Sequence, residues 1–231
     1  MTTAHVFRTL ACLVGSLVLL AGCATERSKS VLVASTAAAQ SNWQGPRSAI
    51  SVGKFDNRSS YLTGVFSDGI DRIGNQAKTI LVSHLQQTGR FTVLDRANLS
   101  EIKQEAEFNQ AAKQSAQQIK GARYVISGGV TEFGRKTVGD RQLFGILGRG
   151  KQQIAYAKVT LNVVAINNAE VVFSVSGAGE YSLSNREIIG FGGTAGYDAT
   201  LSAKVLDLSI REAVDNLVAG IQNGSWRPDN S

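Results

Sequence analysis

The chain has 231 residues, 43% of them hydrophobic, with 24 Lys and Arg against 18 Asp and Glu and a net charge of +6. That length and apolar content suffice for one packed domain, alone or with an extension. The basic residues are scattered rather than clustered, which argues against a nucleic-acid partner, and two cysteines do not make a disulfide framework.

Met1 to Arg8 is short and carries one positive charge. Leu10 to Leu20 is apolar and uncharged, and Leu20-Ala21-Gly22-Cys23 follows. A basic start, a short apolar core and small residues before a cut make residues 1–22 a secretory signal. The apolar run is shorter than the about 20 residues that a membrane-spanning helix needs. A cysteine directly after small residues resembles the bacterial lipobox, in which the thiol takes a diacylglycerol. An ordinary signal with an incidental Cys23 is the plainer alternative. Cleavage removes Cys12 and Arg8, leaving Cys23 as the one thiol and a net charge of +5. A lone thiol in a secreted chain needs an explanation. Acylation supplies one, and each buried methylene adds about 0.8 kcal/mol of affinity for the bilayer. Ala24 stands where Asp would favour retention at the inner membrane, so the expected place is the outer membrane, facing the periplasm.

Residues 23–48 read as anchor and flexible tether, rich in Ala, Ser, Thr and Gln without a clean period. A short helix through the alanines near Ala37 is the alternative. The folded domain is expected over 49–231. Ala49 to Phe55 alternates as a strand, and Asp56 to Ser60 is a polar loop. Ile70, Ile73, Ala77, Ile80, Leu81 and Leu85 space a helix from Asp68 to Thr88, with Gly89 as its stop. Phe91 to Leu94 is a short strand. Asn98, three residues before Glu101, reads as a cap for a second helix carrying Leu99, Ile102 and Ala106 and resuming to Ile119. Tyr124 to Phe133 is a third strand.

The second half differs. Ile154 to Ile166 and Val171 to Leu183 are long strands joined at Asn167-Asn168. A glycine-rich stretch, Gly190 to Gly196, leads to a helix through Leu201, Val205, Leu208, Ala213 and Leu217 that Gly220 should end. Together these predict an α/β (α+β) fold: a mixed sheet with helices packed on it, plus long β-hairpins.

Catalysis is poorly supplied. Of the two histidines, His5 belongs to the signal, and His84 sits on a helix face without the companions a metal site needs. No Gly-x-Ser-x-Gly elbow appears. Gly145 to Lys151 has the spacing of a phosphate loop, but Gln152 replaces the Ser or Thr that would hold Mg²⁺, and a strand follows. No catalytic residue, metal or cofactor is expected, and the protein is not read as an enzyme.

The glycine region alternates an apolar side (Ile189, Phe191, Tyr197) with a small one. Val175, Gly177, Gly179, Tyr181 and Leu183 likewise alternate with Ser176, Ala178, Glu180 and Ser182. Such a pattern suits a transmembrane β-hairpin. It also suits an amphipathic hairpin on a soluble sheet, and pattern alone favours the latter.

The lipobox, the opening Val52-Gly53-Lys54-Phe55, the segment Gly89-Arg90-Phe91-Thr92-Val93-Leu94-Asp95-Arg96, the segment Gly121 to Gly128 and the strand through Val159-Thr160-Leu161-Asn162-Val163-Val164 resemble the CsgG/HfaB family of outer-membrane lipoproteins. The resemblance runs from Ala49 to Leu217. It implies a homo-oligomeric ring in the periplasm to which each subunit gives two β-hairpins of a shared barrel. That barrel is a secretion channel for an exported polypeptide, with companion lipoproteins as further partners. The family's constriction pattern Tyr-x-x-x-Asn-Phe lies on Tyr61 to Phe66 with Val65 in place of Asn, so Tyr61 and Phe66 are the implied constriction residues. The alternative is that they pack the loop onto the following helix. From Phe133 onward the first hairpin has Arg135 and Arg141 on one face and Lys136 and Asp140 on the other. A cation facing lipid at mid-depth costs about 2–4 kcal/mol, which favours a second reading, a non-spanning periplasmic lipoprotein that scaffolds envelope machinery.

Overall fold

β1 (Ser48–Asn57), β2 (Phe91–Leu94), β3 (Tyr124–Arg141), β4 (Arg149–Ala165) and β5 (Val171–Glu187) form one five-stranded sheet in the order β2-β1-β3-β4-β5. The computed structural model describes residues 34–41, 43–61, 70–108, 120–141, 149–187 and 200–228. From Ser35 onward the chain is one compact unit. β1 runs parallel to β2 and β3, while β3, β4 and β5 are antiparallel. The mixed sheet follows from connection length. β1 reaches β2 through α1 (Arg72–Gln87), and a second helix, α2 (Leu99–Phe108), lies between β2 and β3, whereas Asn167-Asn168 joins β4 to β5 in a tight turn.

α1 and α3 (Thr200–Gln222) pack on the sheet and on each other, α1 over β1 and β2 and α3 over β4 and β5. The core between these layers holds Ile50 and Phe55 of β1, Leu81 and Leu85 of α1, Ile126 and Val130 of β3, and Val159 and Leu161 of β4. Leu206, Ile210 and Leu217 of α3 close it from above. Each such side chain contributes about 1.5–3 kcal/mol on burial. Trp226, just past α3, closes one end. It meets Tyr124 edge-on at 5.3 Å and stacks near Phe91 and Phe173.

Several boundaries differ from those the sequence predicts. α1 begins at Arg72, not Asp68, because Asp71 is its N-cap: Asp71 Oδ1 accepts the N–H of Gly74 at 2.7 Å. Asn98 does not cap α2 through its side chain. Its amide donates to Asp95, whose Oδ1 also accepts the N–H groups of Ala97 and Asn98, so Asp95 shapes the turn. α3 does not end at Gly220 but continues to Gln222, and Gly224, at φ +76°, takes the left-handed position beyond it. Gly220 is glycine for another reason: a Cβ there would meet the Phe173 ring at 2.3 Å. Gly89, at φ +69°, does stop α1. All three antiparallel strands run farther than their apolar periodicity predicts, β3 to Arg141, β4 from Arg149 and β5 to Glu187. The predicted helix extension to Ile119 and the glycine-rich stretch 190–196 lie outside the described residues.

Candidate functional site

Tyr61 is the one predicted site residue that the described structure contains; Cys23 and Phe66 lie outside it. β1 ends in Asn57, whose side chain organises the turn after the strand. Its Oδ1 accepts from the N–H and Oγ of Ser59, and its Nδ2 donates to the Tyr61 carbonyl at 3.1 Å. Ser59 Oγ in turn accepts the Tyr61 N–H. The Asn57 N–H donates to Asp71 Oδ2, so one carboxylate both caps α1 and holds the end of β1. The two ends of the 62–69 segment are thereby fastened together. The Tyr61 ring lies on Phe133 of β3, centroids 4.8 Å apart and planes tilted by 46°. It therefore packs on the sheet.

Phe133 marks a change along β3. Up to that point the strand faces the helices with buried apolar residues. Beyond it come Gly134, Arg135, Lys136, Thr137 and Val138, still in register with β4 as far as the Arg141 and Arg149 pair. β5 continues alongside to Glu187. The ladder needs only backbone groups, so it persists where the apolar face stops.

The alternation at Val175, Gly177, Gly179 and Tyr181 proves to be the seat of α3. A Cβ on Gly177 would lie 2.2 Å from the Ala213 nitrogen, and one on Gly179 would lie 2.7 Å from Leu208 Cβ. Small residues there let helix and strand backbones approach. Over this stretch the apolar side faces a helix, as the soluble-hairpin reading has it. Lys204 of α3 reaches the end of this seat, its Nζ 3.2 Å from the Tyr181 hydroxyl.

The segment before β1 is docked on the body. Ala37 to Gln40 is a short 3-10 helix, the alternative that the sequence left open, and Asp215 of α3 accepts the N–H groups of Ala37 and Ala38 at 3.1 and 3.0 Å. The Arg90 guanidinium lies 4.2 Å from the Trp43 ring centroid. Burial pushes the Arg90 pKa below its ordinary value. No charge pattern announces Asp215, and Trp43 alone in a polar segment was the available clue.

His84 is 3% exposed and its Nε2 is 2.7 Å from Asp207 Oδ1, a link between α1 and α3. No group of three or more His, Cys, Asp and Glu is placed to hold a metal among the described residues. Lys151, the lysine of the phosphate-loop lookalike, lies inside β4. Among the described residues no helix is long and apolar enough to cross a membrane, which says nothing of strands.

A mixed sheet covered by two helices, with three antiparallel strands carried on past them, defines an α/β protein built around an extended β-arm. The chain belongs to the CsgG family: the model for the curli production assembly/transport component CsgG matches residues 31–231. It is 61% identical to a Neisseria meningitidis serogroup B protein named as a candidate lipoprotein, over 96% of this chain and 97% of that one. Among solved structures it is similar to the PelC dodecamer of Paraburkholderia phytofirmans, at 18% identity over 73% of this chain and 87% of that one, TM-score 0.35. It is also similar to lipoprotein GNA1162 of Neisseria meningitidis, at 17% identity over 76% and 99% of the two chains, TM-score 0.32.

Proposed function

We propose that this protein is an outer-membrane-anchored lipoprotein that faces the periplasm and assembles with copies of itself into a secretion or assembly channel. Cys23 carries the acyl chains, and an exported polypeptide and companion lipoproteins are its partners. The observation that carries the reading is the β-arm: a family member whose three antiparallel strands continue in register beyond their helix layer. Tyr61 and Phe66 are the constriction residues, on a segment whose base Asn57 and Asp71 fasten beside that arm. Rings of aromatic side chains set what passes a pore. Nothing in the chemistry of the described residues supports catalysis, and the reading is of a non-enzyme.

The test is conductance of the acylated, detergent-extracted protein in a planar bilayer. Discrete steps that enlarge on Tyr61→Ala support the channel with this loop at its narrowest point. Labelled palmitate that enters the wild type but not Cys23→Ser checks the anchor. A second reading, a non-spanning periplasmic scaffold, is favoured by the charges that sequence alternation puts on both sides after Phe133, Arg135 and Arg141 against Lys136 and Asp140. Inserted, folded protein that stays silent, with residues 133–196 open to protease, would establish that reading instead.

A further inference from the structure

α2 differs from the other two helices in how little of it is covered. α1 and α3 pack on the sheet and on each other, and α2 makes no comparable contact with any described element. Of Leu99 to Phe108 only Ala106 is buried. Ile102 is 47% exposed and Phe108 79%. Helical spacing puts Glu101, Glu105 and Phe108 on one face, with Ile102 beside them and Ala106 away from it. The uncovered face thus carries two large apolar side chains and two carboxylates. A helix of ten residues is marginal in water unless an apolar face is packed, so this face is one that a partner completes.

A groove of matching chemistry lies on the same molecule. Between α1 and the edge strand β2 is a cavity of about 440 Å³. Val82, Val93 and Leu94, each half-buried, line it together with the buried Val52 of β1. Lys78 and Arg96 line it as well. Lys78 is half-buried, so its methylene stem joins the apolar lining while the ammonium group keeps to water. Asp95 does not cancel these cations, because both of its carboxylate oxygens are engaged by Ala97 and Asn98 of its own turn. The lining ends at Asn98, and among the described residues none of α2 contributes to it.

We infer that α2 of one copy lies in the α1–β2 groove of the next copy, with Ile102 and Phe108 against Val82, Val93 and Leu94, and with Glu101 and Glu105 facing Lys78 and Arg96. The inference rests on the self-assembly proposed above and names the surfaces that perform it. Two carboxylates meet two cations and two apolar side chains meet an apolar floor, which is helix-in-groove recognition with complementary charge. Helix and groove are different patches. Each copy offers one of each, and a head-to-tail contact of this kind closes into a ring. A companion lipoprotein is the competing occupant, and the match of charge and apolar pattern within one chain favours the second copy.

The experiment is the mass of the acylated full-length protein in detergent, measured by sedimentation, with cysteine cross-linking beside it. The wild type is expected to be an oligomer. E101K/E105K and K78E/R96E should each weaken assembly about tenfold. The variant carrying all four changes should recover it, which a folding defect would not do. In the acylated protein an added cysteine is the one free thiol, so oxidising a mixture of I102C and V82C protein should link one chain of each kind. Assembly untouched by either charge pair, without that link, overturns the inference and leaves the channel standing. I102C that links only to itself sets α2 against α2 and overturns it too. I102C that links in an envelope extract to a different protein, and not to V82C, assigns the helix to a companion and against this proposal. A monomeric wild type removes the self-assembly and the inference together.

Discussion

The inner and outer halves of β3, β4 and β5 share one unbroken hydrogen-bond ladder and little else. The inner half, around Val130, Val159, Leu161 and Gly177, is buried under the helix layer of α1 and α3. The outer half, beyond Phe133 and Tyr181, sets Arg135 and Gln153 at the register positions that apolar residues hold farther in. The comparison teaches that backbone pairing alone extends a sheet well past the point at which its side chains cease to form a core. The inner half stabilises the fold by burial; the outer half is held by its backbone ladder.

Substitutions sharpen that division when stability is measured by denaturant unfolding of the non-acylated Cys23→Ser chain. The largest effect is expected from Leu161→Ala, which empties a fully buried position and should cost about 2–5 kcal/mol. Gln153→Ala, farther out on the same strand, should stay within about 0.5 kcal/mol; a comparable loss at both would break the comparison. Next is Gly177→Ala, whose new methyl meets α3 backbone; it should cost about 1–3 kcal/mol by overpacking. Gly134→Ala, with nothing within 4 Å of the added carbon, should leave stability nearly unchanged. At the junction of the halves, Asp71→Ala removes a helix cap and the partner of the Asn57 N–H, a loss of about 1 kcal/mol.

The smallest effect lies away from both halves and gives the baseline for a surface contact. The Asn98 amide, joined by two backbone N–H groups, holds the Asp95 carboxyl below its ordinary pKa. A carboxylate with a depressed folded-state pKa adds stability above its unfolded value of about 3.9 and loses it as pH falls through the folded value. Asp95→Asn should therefore flatten the acid limb of stability below about pH 4, and only slightly, since Asp95 is exposed. Unfolding midpoints of the two proteins at neutral and acid pH check it. Equal acid slopes would show that the turn holds without the charge.

Periodicity made the inner half legible in the sequence, while the outer half was expected only from the family resemblance, for one physical reason. Alternation of apolar residues marks a strand only where one face is buried, so Tyr124 to Phe133 and Val171 to Leu183 showed clearly while Gly134 to Arg141 did not. β2 was found at its full length because Gly89 and Asp95 punctuate it. The seat of α3 appeared as a pattern at Val175 to Tyr181, but a pattern does not say whether a helix or a lipid lies on it. Gly220 misled because a glycine in a helix reads as a stop, whereas this one makes room for Phe173. The fastening of Asn57 to Asp71 joins residues far apart in sequence, and no period links them. Asn57 and Ser59 formed a recognisable turn signal; that Asp71 would close it was not written locally.

The docking of Ala37 and Ala38 on Asp215 fixes the reach of the leash. If the chain were free from Cys23 to Ser48, it could stretch about 90 Å; fastened at Ala37, it spans at most about 50 Å. Were Cys23 held in a bilayer as proposed, that reach would confine the folded body to a shallow layer beside the membrane. Copies so tethered would share one altitude, and a search for one another through a volume would become a search across a surface.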